Sequence, residues 1–143
     1  MFSKEEAVKL RKDFWTSFGK SFPRKWILYK TKIKGCSFKF VADRKEALVS
    51  LDLEHQDELV NLLYYDQLLS LRTLLQIELP KVIFNDDYEL KNGKRIHRIY
   101  LPFEGNFSIY NKNTWRDCFE FFKQTMTKFE DFYHEYEDVI KNI

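Results

Sequence analysis

Three carboxylates near two predicted strand ends are the residues best placed for catalysis. Asp43 follows one predicted strand, and Asp52 and Glu54 close the next. Paired carboxylates of this kind hold Mg²⁺, and a nearby lysine then activates water or stabilises charge during phosphodiester hydrolysis. In such sites the lysine stands two residues after the second acid. Glu54 occupies that position relative to Asp52, so the site would be atypical or degenerate. The other interpretation makes these residues acids of turns and strand edges on a solvated surface.

Basic residues around the first predicted strand indicate a different function, which is binding without catalysis. Strand side chains repeat every two residues, so Lys30, Lys32 and Lys34 are expected to project from one sheet face. Such a face can bind a phosphate backbone, and an aromatic ring at its end can stack on a base. The predicted contact residues are Arg24, Lys25, Trp26, Lys30, Lys32, Lys34 and Lys39. The alternative is a soluble sheet face whose lysines prevent edge-to-edge aggregation, with Asp52 paired to Lys39.

The remaining polar residues do not favour another catalytic arrangement. His55 and Asp57 lie at a predicted helix start, where capping explains them, and His97 has no nucleophile beside it. The chain has only 4 glycines and no phosphate-binding loop pattern. Cys36 and Cys118 lie outside any C-x-x-C pattern, which predicts two reduced, partly buried thiols. We therefore expect no metal and no cofactor, and Mg²⁺ only under the nuclease alternative.

Charge is distributed unevenly along the 143 residues. Residues 1–45 hold 13 Lys and Arg against 4 Asp and Glu, whereas residues 46–143 hold 11 against 18. This asymmetry concerns partners and steering and not the fold. No apolar run approaches the roughly 18 residues of a bilayer span, and residues 1–6 lack a signal-peptide pattern. We expect one cytoplasmic domain over residues 1–143, without membrane association.

Two helices are predicted in the first part of the chain. Ser3 and Glu6 form a capping-box pattern that begins a helix over residues 3–20. Asp57 is the expected N-cap of a long helix over residues 57–79, which Pro80 ends.

Strand patterns surround the second helix. Alternation predicts strands over residues 26–33, 36–42 and 46–53, joined by short turns into an antiparallel meander. Two or three further strands follow, because residues 81–84, 88–90 and 95–101 are strand-like. Asn92-Gly93 between the last two is a strong hairpin signal, since both residues tolerate positive φ.

The last predicted helix covers residues 113–140, with Asn113 as its cap. Aromatic and small residues recur along it at steps of three and four, which is a heptad spacing interrupted only by a threonine. These residues are Trp115, Cys118, Phe122, Thr125, Phe129, Phe132, Tyr136 and Val139. The stripe is either core that covers the sheet or the seam of a homodimer.

The element order is helix, three strands, helix, two or three strands, helix. Runs of strands set between helices predict an α+β fold with a mostly antiparallel meander sheet packed against three helices. A helix, three strands, a helix and a strand is also the core of restriction-endonuclease-like nucleases. This similarity is what places Asp43, Asp52 and Glu54 at the positions of catalytic acids.

A set of short motifs gives the chain a wider resemblance. These are Phe14-Trp15-Thr16-x-Phe18, Pro23-Arg24-Lys25-Trp26, Gly35-x-Ser37-Phe38, Leu51-x-Leu53, Ile77-Glu78-Leu79, Arg98-Ile99, and Trp115 with Phe119 and Phe122. Through them nearly the whole chain resembles a family of uncharacterised bacterial proteins, a domain of unknown function. That domain occurs alone and at the C-terminus of longer proteins, some with nuclease-like modules. The resemblance implies a DNA-related setting but assigns no catalytic residue.

The sequence therefore favours a non-enzymatic binding module whose basic sheet face contacts nucleic acid or a protein partner. The metal-dependent nuclease is the alternative from a different class. A homodimer through helix 113–140 is a third hypothesis.

Overall fold

A computed structural model describes residues 2–143, and the α+β prediction is confirmed. Helices and antiparallel strands alternate in groups along the chain. They are α1 (Lys4–Ser21), β1 (Cys36–Ala42), β2 (Ala47–Leu53), α2 (Glu58–Ser70), α3 (Arg72–Glu78), β3 (Ile83–Glu89), β4 (Arg95–Pro102), a 3-10 turn (Lys112–Thr114) and α4 (Trp115–Lys141).

The four strands form one antiparallel sheet in the order β1-β2-β4-β3. The turn between β1 and β2 is held by Asp43, whose side chain accepts from the backbone N–H groups of Lys45 and Glu46 at 2.8 and 2.9 Å. The predicted hairpin between β3 and β4 is confirmed, with Gly93 at φ 88°. β3 is longer than expected, because it joins the two strand-like runs that precede the hairpin.

β2 lies in the centre of the sheet, and all seven of its residues are buried. Val49, Leu51 and Leu53 point into the hydrophobic core beneath the helices. Asp52 and Ser50 point to the opposite side, which we call the polar sheet face (Ser37, Lys39, Ser50, Asp52, Tyr88, Arg98 and Tyr100). On the core side the helices cover β2, and on the polar sheet face the side chains of Arg98 and Lys39 pack on Asp52.

α1 begins with the predicted capping box. The Ser3 hydroxyl accepts from the backbone N–H of Glu6 at 3.1 Å, and the Glu6 carboxylate accepts from the Ser3 N–H. Phe14 and Phe18 are the two buried residues of this helix. They meet the ring of Phe122 at 6.2 and 5.5 Å between centroids, which attaches α1 to α4.

α4 is 27 residues long, or roughly 40 Å, and it confirms the predicted last helix. The residues of the heptad-spaced stripe from Trp115 to Phe132 are buried, so most of the stripe belongs to the core. Its cap differs from the prediction: Asn111 accepts from the N–H of Asn113 in the preceding 3-10 turn, and Thr114 precedes α4 without a side-chain cap.

The predicted helix over residues 57–79 is two helices, α2 and α3. Leu71 lies between them at φ −98° and ψ 8°. No glycine or proline is present to break the helix locally. At the end of α2 the Ser70 hydroxyl donates to the carbonyl of Gln67 at 2.6 Å, a local bond of the kind that bends helices. Leu75 and Leu79 of the second helix lie in the core together with Leu68.

The predicted strand over residues 26–33 is wrong. This segment is an irregular loop between α1 and β1, and Leu28 and Lys32 both have positive φ, 47° and 63°. The meander before α2 consequently has two strands and not three. Among the helices of residues 2–143, none is long and apolar enough to cross a membrane.

Candidate nucleic-acid interface

The segment of residues 24–34, here called the basic loop, carries Arg24, Lys25, Lys30, Lys32 and Lys34 and no acidic residue. It runs from the end of α1 to the start of β1. Burial alternates along its second half: the three lysines from Lys30 to Lys34 are exposed, and Thr31 and Ile33 between them are buried. The alternation seen in the sequence is therefore real, although the backbone is not a strand.

A tight turn forms the corner of the basic loop. The N–H of Lys30 donates to the carbonyl of Ile27 at 2.9 Å, with Leu28 at the left-handed position between them. A bulky residue held in this region costs on the order of 1–3 kcal/mol unless its surroundings enforce it. Here the Leu28 carbonyl accepts from the N–H of Phe38 in β1 at 2.9 Å. The loop conformation is thus fixed by contacts outside the loop.

Glu130 of α4 anchors the first half of the basic loop. Its carboxylate is only 3% exposed and accepts from Arg24 Nη2 at 2.6 Å and from the backbone N–H of Ile27 at 2.6 Å. Arg24 Nη1 also donates to the Thr127 hydroxyl at 3.1 Å. Charge-assisted bonds to a buried acceptor are strong, so Arg24 serves mainly to fix the loop.

Tyr133 of α4 anchors the second half. Its hydroxyl donates to the carbonyl of Thr31. Burial raises the pKa of Tyr133, so the phenol keeps its proton. The Thr31 hydroxyl donates to the carbonyl of Cys36 at 2.8 Å, and its oxygen accepts from the N–H of Ile33 at 3.2 Å. Side chains here satisfy backbone groups that a neighbouring strand would otherwise bind, which explains why no strand forms.

Four lysines of the basic loop have no ionic partner. Lys25, Lys30, Lys32 and Lys34 are exposed, and none of the ion pairs formed within residues 2–143 uses them. Tyr29, beside Lys30, is 74% exposed, and no aromatic ring of the described chain lies against it. The loop therefore presents unpaired cations and one open aromatic ring on a fixed backbone.

Trp26 is less open than its predicted role in stacking requires. Its ring is half-buried against Phe18 and Phe40, with centroids 6.5 and 5.4 Å away, and the Arg24 guanidinium lies 4.3 Å from its centroid. Sequence reasoning missed Tyr29 because alternation placed it on the side of the predicted strand opposite to Lys30 and Lys32. The signal was its position directly before Lys30, in the most basic stretch of the chain.

Lys39 lies apart from the other predicted contact residues, on the polar sheet face. Its Nζ is 2.8 Å from Glu54 Oε2 and 3.3 Å from Asp52 Oδ2, which confirms the alternative pairing across strands. Burial lowers the pKa of Lys39, but the hydrogen bond to Glu54 and the charge of Asp52 outweigh it and raise the pKa overall. The predicted sheet face shared by Lys30, Lys32, Lys34 and Lys39 does not exist, because the first three lie on the loop.

Asp52 is fully buried and pairs with Arg98, its direct neighbour on β4. Arg98 Nε and Nη2 donate to the two carboxylate oxygens at 2.8 Å each, a bidentate geometry. The guanidinium is itself buried and stacks over the ring of Tyr88, 4.4 Å from the centroid. Both carboxylate oxygens of Asp52 therefore already bind cationic side chains of the same sheet face.

The other two candidate acids also have their own cations. Lys91 Nζ lies 2.7 Å from Asp43 Oδ2, and Lys94 Nζ lies 3.0 Å from Glu54 Oε1. Partial burial raises the pKa of each acid, but the lysines at Asp43 and at Glu54 outweigh it, so both values lie below the ordinary range. Over the described residues 2–143, no group of three or more His, Cys, Asp or Glu is placed to hold a metal ion.

Histidine and cysteine have structural surroundings. His55 Nδ1 accepts from the N–H of Asp57, which caps α2 as predicted. His97 Nδ1 lies 2.6 Å from the carbonyl of Asp86. Cys36 and Cys118 are buried free thiols, and burial raises the pKa of both to about 12. Neutral, covered thiols are unreactive. Both cysteines are free as predicted, but they are fully buried where partial burial was expected.

A family model described as "Domain of unknown function (DUF4268)" matches residues 10–137. The chain belongs to this family. The match confirms the resemblance to a domain of unknown function, and it includes the basic loop, the sheet and α2–α3 of this DUF4268 domain. No curated protein and no solved structure matches the chain.

Proposed function

We propose that this DUF4268 domain is a non-enzymatic nucleic-acid-binding module, and that the basic loop makes the contact. The observation that carries the proposal is the anchoring of the loop by buried Glu130 and Tyr133 while four of its lysines have no ionic partner. A loop that is already ordered loses little conformational entropy on binding. Lysines without a partner give up no ion pair when they neutralise phosphates and release counterions.

Tyr29 favours a single-stranded ligand. An exposed ring between cations can stack on an unpaired base, which is worth about 1–3 kcal/mol per base, whereas the bases of a duplex are already stacked on each other. The expected ligand is single-stranded DNA or RNA, bound with little sequence preference.

The first prediction concerns charge. Reversing Lys30 and Lys32 to Glu should weaken the binding of a fluorescent single-stranded oligonucleotide about tenfold or more and flatten its salt dependence by about two units of log–log slope. The matched control reverses Arg44 and Lys45, two exposed cations of the β1–β2 turn. Equal losses in the two double variants would mean that only net charge matters, and would contradict a specific role for the basic loop. Absence of binding at low salt would contradict the function itself.

The second prediction concerns the aromatic ring. Tyr29→Ala should lower affinity for the single strand by about 1–3 kcal/mol and leave duplex binding nearly unchanged, while Tyr29→Phe keeps the parent affinity. Fluorescence anisotropy with both ligands measures this directly. An equal loss for single strand and duplex would assign Tyr29 to loop structure and not to stacking.

The nuclease alternative is tested in the same samples. Asp43, Asp52 and Glu54 would have to exchange their lysine and arginine partners for Mg²⁺. Intact strands on a denaturing gel after incubation with Mg²⁺ or Mn²⁺ favour the binding module. Cut strands that depend on metal and are lost in Glu54→Gln, a variant whose fold is checked by circular dichroism, would establish the nuclease instead.

The proposal also concerns self-association and the cellular location. The homodimer through helix 113–140 would have to use the outer side of α4, which is charged (Glu120, Lys123, Lys128, Asp131 and Glu135), because the aromatic stripe is core. Nucleic acid is therefore favoured over self-association through α4. A cytoplasmic location accords with this ligand.

A further inference from the structure

The outer side of the α2–α3 helix pair is uncovered and carries large apolar side chains, with the polar residues Asp66, Ser70 and Thr73 among them. Six of its leucine and isoleucine side chains are between 36% and 69% exposed. They are Leu59, Leu62, Leu63, Leu69, Leu74 and Ile77, here called the α2–α3 face. A contiguous exposed patch of large apolar side chains marks an interaction surface, whereas single exposed leucines need no explanation.

The inner side of the same helices is apolar as well. Tyr65, Leu68, Leu75 and Leu79 are buried in the core. Helices that are hydrophobic all round are normally buried all round. The core therefore accounts for only one side of α2–α3, and the second apolar side requires another occupant.

Charge around the α2–α3 face selects that occupant. Residues 57–79 include Asp57, Glu58, Asp66 and Glu78 but only one cation, Arg72. Glu58 and Leu62 also border a shallow cavity of about 310 Å³ whose wall includes Asp86, Asp87 and Arg95, and Arg95 pairs with Asp87. A second copy would bring these acids against the same acids, which is unfavourable, whereas a basic partner complements them.

The backbone restricts the shape of the partner. All the exposed leucines lie on helices, whose N–H and C=O groups are bonded internally, so an added strand would find no edge to pair with. Helices pack on helices through ridges at steps of three and four residues, the spacing of Leu59, Leu62 and Leu63. We propose that the α2–α3 face docks an amphipathic helix of another protein, with an apolar stripe flanked by Lys and Arg. This inference does not rest on nucleic-acid binding, because it uses none of the basic loop.

The third prediction uses two synthetic peptides of about 18 residues, long enough for helix formation. One has leucine at helical spacing with lysine elsewhere, and its counterpart has every lysine replaced by glutamate. Fluorescence anisotropy with the full chain should show binding of the lysine peptide and affinity for the glutamate peptide that is lower by about tenfold or more. Glu58→Lys with Asp66→Lys should reverse this preference.

Variants of the α2–α3 face test the apolar contact. Leu59→Ser with Ile77→Ser removes its two most exposed side chains, 65% and 69%, and should weaken the lysine peptide about tenfold or more. The matched control is Phe2→Ser with Val8→Ser, two exposed apolar residues just before and within α1 that should leave affinity unchanged. Circular dichroism confirms that both double variants fold.

Three results would overturn the proposal. The first is equal affinity for the two peptides, or binding of neither. The second is binding that survives Leu59→Ser with Ile77→Ser. The third is a dimer by light scattering that the same double variant converts to a monomer, because the occupant would then be a second copy of this chain.

Discussion

Asp52 and Arg98 form the most deeply buried ion pair of residues 2–143. Each is almost completely shielded from water, and the bidentate pair sits on the polar sheet face with Lys39 beside it. Burying an ion pair costs desolvation energy that only good geometry and further hydrogen bonds offset. Asp52 has both, and its position opposite Arg98 in the β2–β4 register explains a purely structural role.

The fourth prediction follows from that burial. Asp52→Ala should lower the free energy of unfolding by about 3–5 kcal/mol, because it leaves the Arg98 guanidinium uncompensated. Replacing both residues by leucine should cost much less, since no unpaired charge then remains. Urea unfolding of Asp52→Leu, Arg98→Leu and the double leucine variant measures the coupling between the two residues. A loss below about 1 kcal/mol in Asp52→Ala would contradict the structural role of the pair.

At the level of elements, α4 organises the rest of the fold. Its inner side covers the sheet through Phe129 and Tyr133, and it holds α1 through Phe122. The same helix supplies Glu130 to the basic loop. Met126, Glu130 and Tyr133 follow helical spacing, so a charged residue within an apolar stripe was the sequence signal for this anchor.

A comparison of two turns shows how tightly elements are joined. Gly35 and Gly93 both have positive φ, 79° and 88°. A Cβ at Gly93 would meet nothing within 4 Å, whereas one at Gly35 would lie 2.6 Å from the backbone N and Cα of His55. Gly35 thus lets the start of β1 approach the segment that follows β2, where its carbonyl accepts from the N–H of Glu54 at 2.7 Å.

The fifth prediction contrasts these two glycines. Gly93→Ala should cost about 1 kcal/mol, which is the conformational penalty alone. Gly35→Ala should cost clearly more, because the backbone of His55 must also shift. Urea midpoints of the two variants provide the measurement. Equal losses would show that the contact between Gly35 and His55 relaxes freely.

At the scale of the whole molecule, the charge asymmetry of the sequence corresponds to two differently charged surfaces. The basic loop carries unpaired cations, and the α2–α3 face is rimmed by acids. A nucleic acid and a basic helix are therefore expected to bind at different places and not to compete. Simultaneous addition of oligonucleotide and lysine peptide would test this, provided that the two ligands are kept from binding each other by moderate salt.

The folding stability of the domain is also expected to depend on pH. The pKa values of Asp43 and Glu54 are lower in the folded chain than their ordinary values of 3.8 and 4.5, so the unfolded chain binds more protons in that range. Stability from these groups is present above about pH 4.5 and is lost as pH falls through the folded values. Glu54→Gln should flatten this loss in urea titrations between pH 6 and pH 3.

Local signals in the sequence determined much of this protein. The capping box of α1, the strands 36–42 and 46–53, the Asn92-Gly93 hairpin and the long last helix all depend on residues close together in the chain, and all are present. The acid at Asp57 likewise caps α2 as expected. Local propensity and side-chain spacing suffice for such features.

Tertiary structure alone decided the form of the candidate nucleic-acid interface. Alternation predicted which side chains are buried over residues 30–34 only, and anchors about a hundred residues away, Glu130 and Tyr133, replaced the strand with a loop. The same packing half-buries Trp26 and leaves Tyr29 exposed. It also pairs Asp52 with Arg98, where the nuclease hypothesis required a metal ion. Periodicity reports which side of a segment faces the core, whereas the groups that satisfy its backbone and its charges come from distant elements, and only their packing specifies them.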